Sequence, residues 1–335
     1  MTIYDDFLSM ENREILTNKN VNFEYEEDDK IFIITSIFSP YGKDNRTKLA
    51  QEFIERFETL KEKGHPLELC VVEILYSGQK SHVILENKKN YLQINYEHDI
   101  YMFNKENLIN VAVEKLLPKE WKWMAWIDAD IEFLDEYWAE KTIQLFKEKK
   151  LDVVQLFSVC RFLDAKNIPS QYFYSSMYIL NNEQFLKNKK YRHPGFAWAC
   201  SRDAYEKMGG LFEYAIVGGG DMIMECCFTD RIHLLRKKYE TLESFLDKIE
   251  IFHNKVKDFK LGYLNIIIQH YYHGERKNRN YVERNKILIQ NNFNPDKDVI
   301  KPFLLENFSF LIPVTKFYKR IQNQIQNYFI TRKEE

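Results

Sequence analysis

Apolar positions along the chain alternate between short continuous runs and helical spacings. Ile31-Phe32-Ile33-Ile34-Thr35-Ser36 is continuous and rich in β-branched residues, as in a strand buried on both faces. Ser39-Pro40-Tyr41-Gly42 breaks it, and Leu49, Phe53, Ile54, Phe57 and Leu60 then recur at helical spacing, with Gly64 as a stop. Leu67 to Leu75 reads as a second strand and Tyr91 to Asn95 as a short third. A helix over Asn107 to Leu117, closed by Pro118, leads to a fourth strand, Trp123 to Ile127, which runs into Asp128. A helix from about Glu136 to Lys149 and a strand from Val153 to Phe157 continue the rhythm. The pattern predicts an α/β fold: a Rossmann-like, mostly parallel sheet flanked by helices. Ligands of such sheets collect beyond the carboxyl ends of the strands, so Thr35–Ser36 and Asp128–Asp130 are expected to line one crevice.

The second half is less regular. Leu180 to Tyr191 is polar and lysine-rich and reads as a loop-bounded helix. Arg202 to Met208 is a short helix stopped by Gly209-Gly210, residues 221–229 and about 240–258 are helical, and Tyr263 to Ile268 is an apolar strand. From Pro302 onward, Phe317, Ile321, Ile325 and Phe329 fall four apart with basic residues between, an amphipathic helical tail. Its stripe is read as packing on its own domain or on a sister subunit, with peripheral membrane contact as the alternative.

Composition narrows the class of protein. The 335 residues are 45% hydrophobic and 15% aromatic, enough to bury a core and too much for a disordered chain. Lysine and arginine number 48 against 50 acids, so no overall positive field exists to hold nucleic acid. Five scattered cysteines without a CxxC pair are expected to be buried free thiols. The first residues carry acids where a signal peptide carries bases, and no run reaches about 18 apolar residues. A soluble, cytoplasmic protein is expected.

Three constellations could carry chemistry. In Trp126-Ile127-Asp128-Ala129-Asp130, two carboxylates follow a buried strand, and on an extended segment they would point the same way. Their repulsion calls for a divalent cation or for turn donors, and a plain Asx-type turn is the bland alternative. In Val217-Gly218-Gly219-Gly220-Asp221, three glycines allow a substrate to approach the main chain. Asp221 is there either a helix N-cap or a carboxylate that accepts a proton from a hydroxyl. In His270-Tyr271-Tyr272-His273-Gly274-Glu275-Arg276-Lys277-Asn278-Arg279, histidines precede a dense basic stretch, either a lid over phosphate or a solvated turn.

Taken together, IFIITSIFSP, WMAWIDADIEF, HPGFAWACSRDAYEKMGGLFEYAIVGGGDMIM and HYYHGERKNRNYVERNKIL resemble the GT-A class of nucleotide-sugar-dependent glycosyltransferases, in particular bacterial, phage and large-DNA-virus members. The resemblance implies a leader over 1–29, a nucleotide-sugar-binding half over 30–150, an acceptor and catalytic half over 151–290, and a helical tail over 291–335. It implies Mn2+ or Mg2+ on Asp130 and His273, and a ribose hydroxyl or a metal-bound water on Asp128. Thr35 and Ser36 would border the nucleoside, and Arg276, Lys277 and Arg279 the diphosphate. Trp198, Gly219 and Gly220 would face the donor sugar and acceptor, with Asp221 as sugar contact or base. Many relatives carry a Glu-Asp pair where this chain has Gly219-Gly220-Asp221, a departure that leaves a single acid there. The donor is expected to be a UDP-sugar, with a GDP-sugar as second choice, and the acceptor a hydroxyl on a glycan, lipid or protein. A viral member would work in its host's cytoplasm.

Other readings fit less well. In aspartyl-phosphate phosphohydrolases the DxD ends the first strand, with Thr or Val at its fifth position, whereas here it follows about three strands and Glu132 is fifth. The Gly-rich basic loop of a sugar-phosphate nucleotidyltransferase is missing after Ile34. A catalytically weak sugar- or nucleotide-binding protein on the same fold is the remaining alternative.

Overall fold

The computed structural model describes residues 23, 25, 26, 28–41, 44–81, 83, 88–96, 100–182, 192–302 and 310–332. Most of the expected leader, and the expected helix beyond Asn182, lie outside them. The first four strands fall close to where the apolar runs place them: β1 Ile31–Phe38, β2 Leu67–Tyr76, β3 Tyr91–Tyr96 and β4 Trp123–Ile127. They are mutually parallel in the order β3-β2-β1-β4, so the chain reverses its direction of strand addition between β1 and β4. A crevice opens at that reversal, where crossover connections leave in opposite directions.

Of the next six strands, the apolar runs marked the one that begins at Val153. After β5, Ile131–Phe133, come β6, Val153–Gln155, β7, Val159–Leu163, β8, Pro169–Ser175, β9, Arg192–His193, and β10, Ala197–Ser201. β10 inserts antiparallel between β4 and β6, and β11, Leu261–Tyr263, closes the seven-stranded sheet at its far edge. The expected strand Tyr263 to Ile268 is in fact divided. Its first residue ends β11, and β12, Ile267–His270, belongs to a second sheet of order β5-β12-β7-β8-β9. Period-two patterning cannot mark that change of sheet, because apolar residues face a core on both sides of it.

Helices cover the sheet on both faces. Phe53, Ile54 and Phe57 of the Asp44–Glu62 helix bury against one face, with Trp138, Ile143 and Phe146 of the Trp138–Lys149 helix. The Lys105–Leu116, Gly220–Phe228 and Glu243–Val256 helices fill the other. All five cysteines are buried and free, as expected. Among the described residues no helix is long and apolar enough to cross a membrane.

The amphipathic tail forms the Thr315–Thr331 helix, packed on the chain's own Glu283–Gln290 helix. Phe317, Ile321, Ile325 and Phe329 are all buried, so this stripe is not free for a membrane or a second subunit. Packing within its own fold is the arrangement observed.

Candidate active site

The crevice is a cavity of about 370 Å³ bordered by Ser36–Ser39 at the end of β1 and by Asp128–Asp130 after β4. Thr35, expected at its rim, is instead fully buried and does not line it. The strand runs on to Phe38, which places Thr35 mid-strand and leaves Ser36 as the first lining residue.

Asp128 and Asp130 do not share a direction. The segment leaves the strand as a tight turn, with the Asp128 N–H donating to the Phe196 carbonyl at 2.8 Å and the Ile131 N–H to the Asp128 carbonyl at 3.2 Å. The turn sends the two carboxylates to different partners. Asp128 Oδ1 lies 2.6 Å from Lys105 Nζ, while Asp130 Oδ2 lies 2.9 Å from His273 Nε2 and 3.8 Å from His270 Nε2.

Tertiary pairing brings those histidines in. β12 pairs antiparallel with β5, placing His270 opposite Ile131, and the Tyr271 N–H donates to the Asp130 carbonyl at 2.9 Å. Asp130, His270 and His273 thus present one ligand atom each within 4.8 Å of one another. The sequence pointed to His273 alone. The readable signal for His270 was its three-residue spacing from His273 at the end of an apolar strand.

The donor set fits a divalent cation. Among the described residues, Asp130 Oδ1 is buried without a hydrogen-bond partner, as is His270 Nδ1. A carboxylate with two neutral imidazoles can hold a divalent first-row ion, and the carboxylate oxygens suit a hard one such as Mn2+. Burial, with Arg279, holds His273 down to about 4, and burial likewise holds His270 well below its usual range, so both rings are neutral. Burial opposes the charge on Asp130, yet the two imidazoles and Arg46 favour the anion and keep its carboxyl well below the usual range. Arg279, itself buried, donates towards His273 Nε2 at 2.7 Å and His270 Nε2 at 3.3 Å.

Lys105, which no sequence signal marked, is the hub of the opposite wall. Its Nζ also reaches Asp221 Oδ2 at 3.1 Å, so one ammonium joins the acid after β4 to the acid of the glycine loop. Burial works against its charge, but Asp128, Asp221 and Glu106 outweigh burial and raise its pKa. Burial raises the Asp128 carboxyl to about 6 despite Lys105, with Asp221 and Asp130 adding repulsion.

Asp221 lines the cavity and does not cap its helix. The N-cap of Gly220–Phe228 is Gly219, at φ 98° and without a side-chain cap bond, which leaves the Asp221 carboxylate for Lys105. Gly219 lines the cavity, whereas Gly220 packs against Glu106: a Cβ there would stand 2.2 Å from Glu106 Oε1. Glu106 is buried, and burial with the nearby Asp221 pushes its carboxyl up to about 8. A helix other than that of Asp221 thus brings a carboxyl beside Gly220.

Two other expected residues lie elsewhere. Trp198 is in the core, stacked on Trp126 at 6.4 Å with its Nε1 donating to the Pro194 carbonyl. Its place on β10 faces the sheet's packing side, and the cavity is lined instead by His193–Phe196 just before it. Lys277 is exposed and off the cavity, while Arg276 and Arg279 line it. In the short 3-10 turn Arg276–Arg279, adjacent side chains project in different directions. The missed wall residue His193 stacks on Phe196 at 3.7 Å, and Phe196 holds a φ of 83°, costly for a side chain of that size.

The family model "Glycosyl transferase family 2" matches residues 76–209. No curated protein matches the chain in sequence. Among solved structures it is similar to a mutant of Drosophila β-1,4-galactosyltransferase 7 in complex with manganese, UDP-Gal and xylobiose, at 10% identity over 87% of this chain and 97% of that one, TM-score 0.39. It is also similar to the mannosyltransferase PcManGT from Pyrobaculum calidifontis in complex with GDP-Man and Mn2+, at 12% identity over 96% and 76%, TM-score 0.42. A third likeness, to a glycosyltransferase involved in glycosylation of the major capsid of PBCV-1, has 11% identity over 78% and 99%, TM-score 0.27. The family match spans β4 with its Asp128–Asp130 turn and the lining segment before β10, so the part of the chain that borders the switch-point crevice is similar to glycosyl transferase family 2.

Proposed function

We propose that the enzyme transfers a hexose from a UDP-linked donor, or failing that a GDP-linked one, to a hydroxyl on a glycan, lipid or protein. One observation carries the metal-dependent reading: Asp130, His270 and His273 converge at the crevice with a buried Asp130 oxygen that no described residue satisfies. These three would hold Mn2+ or Mg2+. When bound, the ion supplies Lewis-acid charge to the departing diphosphate. Arg279 and Arg276 stand beside the same pole, where fixed cations stabilise a leaving phosphate without reorganising. Ser36 and Ser39 border the nucleoside end.

Asp221 lines the same cavity, with its carboxylate held 3.1 Å from Lys105 Nζ. In a direct displacement it takes the proton of the attacking hydroxyl as the new glycosidic bond forms. Lys105 holds it in place and, through Asp128, fixes its position relative to the donor. Five buried free thiols agree with the cytoplasm as the compartment.

Calorimetry of UDP, GDP and other nucleoside diphosphates with and without Mn2+ tests the reading. Mn2+-dependent binding of UDP is expected, with loss of at least about 100-fold in affinity for Asp130→Asn and for His270→Ala or His273→Ala. Metal-independent binding, or none to any nucleotide, refutes it.

A further inference from the structure

The charge of the cavity does not balance. Eight cationic side chains line it (Arg46, Lys105, Arg192, Lys238, Arg276, Arg279, Arg284 and Arg332) against three carboxylates, an excess of five among the described residues. A nucleotide sugar carries two negative charges on its diphosphate and a divalent ion cancels both, so a loaded donor leaves the excess standing. Some of the cations have local roles: Lys105 serves Asp128 and Asp221, Arg279 serves the histidines, and Arg192 lies 3.9 Å from buried Glu225.

Arg284 and Lys238 are different. Neither has a carboxylate within ion-pair distance among the described residues, and Arg284 Nε is buried without a hydrogen-bond partner. Lys238 is an exposed residue at the cavity wall, with Arg284 as its neighbouring charge. Their place is specific. A Cβ on Gly218 would stand 2.8 Å from Arg284 Nη1, and one on Gly219 3.4 Å from Nη2, so the guanidinium lies flat on the glycine loop that leads to Asp221. Its other contacts are the Tyr281 ring at 5.0 Å and the Tyr328 hydroxyl at 3.2 Å, which fix the fork and consume little of its charge.

We infer that Arg284 and Lys238 form an anion subsite on the acceptor side of the cavity, and that the acceptor carries a phosphate or carboxylate near the hydroxyl that is glycosylated. The inference rests on the transferase reading. It explains why positive charge accumulates next to Asp221 as well as next to the metal pole: an anionic acceptor is drawn in and oriented by a planar fork before its hydroxyl meets the base.

The test is calorimetric titration of glucose 6-phosphate, glucuronate and glucose into the full chain, with and without saturating Mn2+ and UDP. The charged sugars are expected to bind at least about tenfold more tightly than glucose, an ordinary yield for one charge-assisted contact. Arg284→Met and Lys238→Gln are each expected to lose about tenfold for the charged sugars and to keep Mn2+·UDP affinity within about threefold. Lys238 sits at a helix end, so its variant keeps the test decisive where Arg284→Met fails to fold. Equal affinity for charged and neutral sugars, no binding of either at millimolar concentration, or variants that lose Mn2+·UDP in parallel overturn the subsite. Failure of the wild type to bind Mn2+·UDP refutes the transferase reading instead, and the titrations without nucleotide still decide the subsite.

Discussion

Replacing Lys105 with methionine removes an ammonium that lies 2.6 Å from one carboxylate and 3.1 Å from another. Its side chain is 10% exposed, and those of Asp128 and Asp221 are 28% and 22% exposed, so water screens these pairs far less than a surface bridge. Deleting one partner of a buried pair costs about 3–5 kcal/mol, mostly for the charge left behind. Two carboxylates are left here, but both keep some access to water, which puts the expected loss near 3 kcal/mol. Asp221→Asn alone removes one charge-assisted bond and is expected to cost about 1–2 kcal/mol. In the double variant the asparagine no longer repels Asp128, so the combined loss falls short of the sum by about 2 kcal/mol. Urea unfolding of the four proteins in chelator, without nucleotide, measures the cycle. Additivity within about 0.5 kcal/mol, or a loss below about 1 kcal/mol for Lys105→Met, refutes the view that this ammonium organises the two acids.

Three further outcomes are expected. Asp221→Asn should keep Mn2+·UDP affinity within about threefold and lower kcat with acceptor by about 100-fold or more, and full turnover would remove Asp221 from the proton transfer. Gly220→Ala would place a methyl on the Glu106 carboxylate, for a loss of about 2–3 kcal/mol in unfolding experiments that Glu106→Ala in the same chain largely restores; no restoration would rule out this clash as the cause. Asp29 is buried between Lys122 and Lys147, each 2.8 Å away; burial opposes its charge, but the lysines and the Glu26 N–H bring its carboxyl down to about 2. Its folded pKa is depressed, so its stabilisation is complete above the unfolded value of about 4 and is lost as pH falls through about 2. Both lysines are well exposed, which reduces the roughly 2.5 kcal/mol implied by the shift to about 1–2 kcal/mol. Asp29→Asn should show that loss at pH 7 and almost none at pH 2, and an equal loss at both would refute the assignment.

Local pattern was enough for β1 to β4, because each is a β-branched or aromatic run bounded by turn residues; β1, β2 and β4 are buried on both faces, and β3, at the sheet edge, only in part. It was also enough for the switch-point crevice, since parallel connections of one hand leave few ways to arrange four such strands. It failed where identity depends on a partner. Trp198 looks like a ligand platform in its motif, yet its ring packs on Trp126 across the β4–β10 ladder. Lys277 sits in the right stretch, and the turn points it away.

The amino-acid sequence by itself determined the class of the sheet, the carboxylate turn after β4, the glycine loop before Asp221 and the histidine-rich stretch, because each is written in neighbouring residues. Only the folded chain decided how they combine. The β5–β12 register carries His270 and His273 to Asp130 across some 140 positions of sequence, and Lys105 meets Asp221 across 116. The Arg284 fork on the glycine loop and Glu106 in the space beside Gly220 are of the same kind. Each depends on which faces of two distant elements pack together, and that choice is made by burial of the whole core.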